Sequence, residues 1–185
     1  MRAFLAIDVS SKDVLDKIES LQRRFMELGC DLRVVKRENI HFTVKFLGEI
    51  TDYQANMVID AIKDLKIKKA KIRYVGLGAF PNQFNPRVIW IGVDNDSKFR
   101  LNDIYQQVFS KISHMGLGDT KPFQPHITIF RVKSGKNRSA LTKALKECAN
   151  EEFGEEIAYE LKLKKSTLTP SGPIYEDVFK LKFTD

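Results

Sequence analysis

Two tetrapeptides, His41-Phe42-Thr43-Val44 and His126-Ile127-Thr128-Ile129, repeat one His-x-Thr-x pattern in a chain of 185 residues with only 3 histidines. Threonine is scarce enough that two of the histidines meeting it by chance two places on is about a 1-in-200 event by composition. The repeat is therefore read as chemistry. Two imidazoles with ordinary pKa values of about 6.5 allow one ring to be neutral while the other holds a proton, the requirement for a paired general base and general acid. Two threonine hydroxyls can donate to the non-bridging oxygens of one anion held between them. Such a set suits in-line displacement at phosphorus. One of His41 and His126 deprotonates the incoming oxygen, the other protonates the departing one, and Thr43 and Thr128 hold the phosphoryl group. The scheme needs neither metal nor cofactor, and the residues themselves leave open which histidine takes which role.

Both motifs must be carried by elements that aim them. They lie in stretches that read as strands, Ile40 to Leu47 and His126 to Val132, rich in β-branched and aromatic residues and free of internal Gly or Pro. Side chains two apart on a strand share a face, so His41 projects beside Thr43 while Phe42 and Val44 turn into a core. His126 and Thr128 repeat the arrangement, with Ile127 and Ile129 behind them. Regular alternation carries Lys45 onto the face of His41 and Thr43, where its ammonium would meet an anion. Arg131 lies an odd number of residues from His126 and needs a bulge or the strand's end to reach that face. The third histidine, His114, has no threonine partner and falls late in an expected helix, where a protonated ring suits the dipole; it is read as structural. No close His, Cys, Asp or Glu spacing surrounds the histidines, so a zinc site is not expected.

The remaining elements look duplicated. A strand from Ala3 to Val9 leads to a helix from about Lys12 to Leu28, with Ser10 or Ser11 as N-cap, apolar positions Leu15, Ile18, Leu21, Phe25 and Leu28, and Gly29 as the stop. Extended Leu32 to Lys36 precedes the first motif, and Thr51 can cap a helix from about Asp52 to Leu65. Strands Lys71 to Phe80 and Arg87 to Val93 flank a loop rich in Pro and Asn, then comes a helix from about Ser97 to Met115. Turn-rich Gly116 to Pro125 leads to the second motif. A helix from about Ser139 to Ala149 and two long alternating strands, Ile157 to Leu168 and Ile174 to Phe183, complete the order. The expectation is one α+β domain over residues 1–185. Its strands are mostly antiparallel with helices on the outer faces, in one unit or in two small lobes with a sheet each that share one cleft, and a pseudo-twofold axis can bring the two His-x-Thr faces together.

A net charge of +7 and a pI of about 9.3 favour phosphate-bearing partners, nucleic acid above all. Two basic clusters, Lys66 to Arg73 and Lys162, Lys164 and Lys165, are candidates for RNA-backbone contacts, against the commoner role of a solvated face. Aromatic residues able to stack on a base include Phe46, Phe80, Phe84, Trp90, Phe123, Phe130, Tyr159 and Tyr175, most of them expected in the core. No apolar run is long enough to cross a membrane, and Met1 to Asp8 reads as the first strand rather than a signal segment. Cys30 and Cys148, read as free thiols near helix ends, fit a reducing cytoplasm.

On these residues the chain resembles the two-histidine phosphoesterase superfamily and, within it, the RNA 2′,3′-cyclic phosphodiesterases, historically called 2′-5′ RNA ligases. The likeness covers nearly the whole chain: Arg2-Ala3-Phe4-Leu5-Ala6-Ile7, the stretch from His41 to Glu49, Pro125 to Arg131, and Gly172-Pro173-Ile174-Tyr175. It implies a bilobal LigT-like fold and hydrolysis of a terminal 2′,3′-cyclic phosphate to a 2′-phosphate, with water as nucleophile and the 3′ oxygen as leaving group. It implies further that His41 protonates that oxygen, that His126 activates water, and that Thr43 and Thr128 contact the phosphate. Arg131 matches an arginine common after the second motif, and Phe130 stands where a smaller residue is usual, able to narrow the cleft or stack on a base. The implied partners are RNA ends or small cyclic nucleotides, with no membrane, no metal and no cofactor, in a cytoplasmic monomer. Two other readings share the residues. One is 2′-5′ joining of RNA halves, which microscopic reversibility allows but water at about 55 M opposes unless the ends are held together. The other is an RNA-end binding module without turnover.

Overall fold

A strand-helix-strand-helix unit occurs twice in the computed structural model, which describes residues 1–185. The first copy comprises β1 (Arg2–Asp8), α1 (Lys12–Met26), β3 (His41–Glu49) and α2 (Asp52–Ile62), with short β2 (Leu32–Val34) ahead of β3. After β4 (Ala70–Phe80), the second comprises β5 (Val88–Val93), α3 (Asn95–Ile112), β6 (Ile127–Val132) and α4 (Arg138–Glu147). The last strands are β7 (Glu152–Ala158), β8 (Glu160–Thr169) and β9 (Gly172–Lys182). All belong to one nine-stranded sheet ordered β9-β8-β1-β3-β6-β5-β4-β7, with β2 laid against β6. The two sheets expected from the sequence are thus two four-stranded wings of a single sheet. One ladder pair between the motif strands, Phe42 with Ile127, joins them.

Helix α1 forms where its pattern directs. Ser11 caps it by accepting from the Val14 amide at 3.2 Å, and Leu15, Ile18, Leu21 and Phe25 are all buried. It packs on β6 and β7, while α3 packs on β3 and β4 and against α2. Helices and sheet enclose one continuous core of 42 buried residues. The expected strand from Ile157 to Leu168 is corrected, because the chain changes wings at Tyr159. Ala158 pairs with Ala70 on β4, whereas Glu160 pairs with Lys182 on β9. Ala158, Leu161 and Leu163 are buried on both sides of the crossing, so the apolar pattern runs through it and conceals it.

Two bulges decide which side chains face the cleft. In the first wing Leu5 lies opposite Lys45 and Ala6 opposite Thr43, leaving Val44 as the extra residue. In the second, Ile89 lies opposite Phe130 and Trp90 opposite Thr128, leaving Ile129 extra. Each bulge follows its motif threonine directly and inverts the alternation beyond it. The carbonyl of Ile129 accepts from the Val35 amide at 3.0 Å and from Nε2 of Gln22 at 3.0 Å, which accounts for a buried glutamine on α1.

Candidate active site

The cleft along the β3–β6 seam holds a cavity of about 520 Å³ whose walls include His41, Thr43, His126 and Thr128. Both histidines are fixed in the same way. Nδ1 of His41 lies 2.7 Å from the carbonyl of Asn39, and Nδ1 of His126 lies 2.5 Å from that of Gln124, in each case two residues upstream. A carbonyl only accepts, so Nδ1 carries the hydrogen in both rings and Nε2 is left to take or give a proton. Nε2 of His41 is 3.0 Å from Oγ1 of Thr43, whose hydroxyl donates to the ring while it is neutral.

Aromatic walls dry the two rings. His41 packs against Phe4 and edge-on to Tyr175, with centroids 5.1 and 5.5 Å away. His126 packs against Phe80 and Trp90 at 5.0 and 6.1 Å. The Trp90 indole lies flat on Gly78, where a Cβ would come within 2.3 Å of it, so only glycine leaves room for this wall. Burial is the largest influence on both imidazoles and pushes their pKa values below the ordinary value, with the two carbonyl bonds pulling the other way. The rings differ in their charged surroundings. Asp8, paired with His41 across the β1–β3 ladder, favours a proton on that ring, opposed by Lys164 and His126. No carboxylate acts on His126. The two rings thus share one direction of shift and differ in the charges around them.

Asp8 is itself held by Lys162 at 2.7 Å and Lys164 at 2.9 Å, and Asp177 joins the same two ammoniums at 3.2 and 3.4 Å. Burial alone would lower the Lys162 pKa, but its bonds to the two carboxylates carry it above the usual range. These lysines face carboxylates rather than the cavity, and Lys165 reaches Glu176 at 3.9 Å, so this cluster, one of the two candidates for RNA-backbone contact, does not line the cavity. In the run from Lys66 to Arg73, Ile67, Ala70 and Ile72 are buried, while Lys69 pairs with Asp185, Lys71 with Glu155 and Arg73 with Glu152. That run does not line the cavity either. The basic wall consists instead of Arg2, Arg33, Lys36, Arg131 and Lys133, scattered singly along the chain. No Asp or Glu lines the cavity, and none of the five takes part in an ion pair.

The bulges settle the residues beyond the motifs. Lys45, expected beside Thr43, is turned away from the cleft by the Val44 bulge. Its ammonium donates to the Asp119 carbonyl at 2.5 Å and lies 5.7 Å from the Phe109 ring centre. Phe46 takes its place on the cavity wall, with the Arg2 guanidinium 5.0 Å above its ring. The Ile129 bulge likewise brings Arg131 onto the wall and sends Phe130 into the core, where it is fully buried and stacked on Phe25 at 5.9 Å. Phe130 therefore neither narrows the cleft nor meets a base. Tyr175 lines the cavity; Phe123 stacks on Tyr105, and exposed Phe84 and Tyr159 lie outside. His114 is exposed and outside the cavity, and Cys30 and Cys148 are free thiols. No helix is long and apolar enough to cross a membrane.

The chain matches the AKAP7 2′5′ RNA ligase-like domain over residues 3–183. It is 39% identical over 176 residues to the RNA 2′,3′-cyclic phosphodiesterase of Methanocaldococcus jannaschii, a match covering 95% of this chain and 97% of that protein. In fold it is similar to TT0787 of Thermus thermophilus, with a TM-score of 0.83 at 23% identity over 99% of this chain and 98% of that one. It is also similar to E. coli LigT complexed with 3′-AMP, with a TM-score of 0.78 at 18% identity over 100% and 98%. A family match over nearly the whole chain, together with a full-length relative at this identity, makes the protein a member of the two-histidine phosphoesterases, on their 2′5′ RNA ligase-like branch.

Proposed function

We propose that this protein hydrolyses RNA ends bearing a 2′,3′-cyclic phosphate to 2′-phosphates without a metal, with His126 as base and His41 as acid. The observation that carries the reading is the common set of the two rings: each Nδ1 is engaged by a backbone carbonyl, which leaves Nε2 for proton transfer, and both rings line one cavity walled by cations. His126 Nε2 takes a proton from water as the water oxygen bonds to phosphorus. The bond from phosphorus to O3′ breaks, and O3′ receives the proton of His41 Nε2. Thr43, Thr128 and Arg131 hold the non-bridging oxygens. Asp8 behind His41 supports its role as acid, and the relative in M. jannaschii, named for this activity, supports the substrate. Lys45 has no part in this scheme. The protein works on RNA ends as a monomer in the cytoplasm.

The test is to incubate the protein, with EDTA present, with an RNA oligonucleotide ending in a 2′,3′-cyclic phosphate and to identify the product by phosphorus NMR. Many turnovers to a 2′-phosphate are expected, and His41→Ala and His126→Ala should each lower the rate by about 10² or more. An intact cyclic end, or full activity in either variant, overturns the reading.

A further inference from the structure

In the short β2–β6 ladder Arg33 stands directly opposite Arg131. Like charges at directly paired positions repel, and neither arginine has a carboxylate to relieve the pair. Lys133 extends the same wall, and Lys36 lines it from beyond the end of β2. Arg33 is also held in place. It is half-buried, and one guanidinium nitrogen donates to the Pro170 carbonyl at 3.1 Å, in the turn between β8 and β9, so the side chain reaches from one wing to the other. A guanidinium has five donors, and one fixed bond leaves the rest for a partner. With no carboxylate in the cavity, that partner is an anion.

The position of this cluster indicates which anion. The motif threonines mark where the reacting phosphoryl group is held. Arg131 lies three residues, roughly 10 Å of strand, beyond Thr128, and Arg33 is one strand further from the seam residue Ile127. Arg131 reaches back along the strand to the reacting phosphoryl group, whereas Arg33, one strand over, and Lys133, farther along β6, are offset from the reacting phosphorus. An RNA end closed as a 2′,3′-cyclic phosphate has one other phosphate near that phosphorus, the diester on the 5′ oxygen of the same nucleotide.

We infer that Arg33, with Lys36 and Lys133, forms a subsite for the phosphodiester immediately 5′ of the terminal nucleotide, so that the protein reads an RNA chain rather than a cyclic mononucleotide. The inference rests on the hydrolase reading above. Its test uses two dinucleotides with the same 2′,3′-cyclic end, one with a natural linkage and one whose linkage is an uncharged methylphosphonate. The unmodified protein should favour the natural linkage about 10-fold or more in kcat/KM, the reach of one charge-assisted hydrogen bond. In Arg33→Gln that preference should fall severalfold, and the salt dependence of log kcat/KM for the natural dinucleotide should become shallower by about 0.7. Arg33→Lys, which keeps the charge, should retain part of the preference. If Arg33→Gln slows both dinucleotides by the same factor, Arg33 only braces the β8–β9 turn and the subsite is refuted. Equal turnover of both dinucleotides by the unmodified protein refutes it too. Turnover of neither would instead sink the hydrolase reading, and the subsite with it.

Discussion

Thr43 and Thr128 occupy equivalent places in the two motifs, but the structure predicts unequal costs for losing them. Valine in place of either removes a hydroxyl and keeps the β-branched shape that the strand favours. The Thr128 hydroxyl faces the cavity and has no partner within the protein, so a phosphate oxygen is its first acceptor. A hydrogen bond to a charged group contributes about 1.5–3 kcal/mol. At about 1.36 kcal/mol per factor of ten, Thr128→Val should lower kcat/KM roughly 10- to 150-fold. Thr43 starts from a different state, because its hydroxyl is already bonded to His41 Nε2 at 3.0 Å. In the acid form Nε2–H donates to that oxygen, a bond typically worth about 1 kcal/mol net that is given up when Nε2–H turns to O3′, so losing it offsets part of the lost phosphate contact and Thr43→Val should be milder by about fivefold. The assay is kcat/KM on one cyclic-ended RNA, taken at the pH optimum of each variant so that a change in His41 protonation is not mistaken for a lost phosphate contact. A Thr43→Val loss equal to or larger than that of Thr128→Val would show that the hydroxyl assignments are wrong.

Two further outcomes can be checked directly. Burial holds both imidazoles below about 6.5. The acid loses its proton as pH rises through its lowered pKa, and the base gains one as pH falls through its own, so kcat/KM should follow a bell with both limbs below pH of about 6.5. Full activity persisting well above neutrality would contradict the roles given to the two rings. Phe130→Ala should act on stability rather than on substrate, costing about 3–5 kcal/mol as a buried aromatic truncation. For a chain of this size that lowers Tm by roughly 6–20 °C, readable by calorimetry; a changed KM with an unchanged Tm would restore Phe130 to the cleft.

The paired histidines were legible in the sequence because each motif residue keeps strict strand alternation, and Phe42 and Ile127 are fully buried as that phase requires. The alternation fails one residue past each threonine. Val44 and Ile129 are β-branched and apolar like any strand residue, and a two-against-one register leaves no mark on composition. Lys45 and Phe130 were therefore placed on the wrong face, while Arg131 was read as needing the bulge that the structure supplies. The charge runs, weighed in the sequence as candidates for RNA contact, are engaged elsewhere. The consecutive basic residues find carboxylates across neighbouring strands, as Lys162 finds Asp8, whereas the free cations of the cavity stand singly and converge only in the fold. The carbonyls of Asn39 and Gln124, which fix both imidazoles, have no side-chain signature at all.

The single ladder pair between the two motif strands has a mechanical consequence. Phe42 and Ile127 immediately follow the two histidines, so both imidazoles sit beside the seam between the wings. Strand β9 lies three strands out from β3, about 14 Å at ordinary spacing, and a tilt of about 10° would sweep it by roughly 2.5 Å. The same tilt would displace the imidazoles far less. In any tilt about this seam the β8–β9 hairpin that meets Arg33 would travel farthest while the spacing between the two histidines stayed nearly constant.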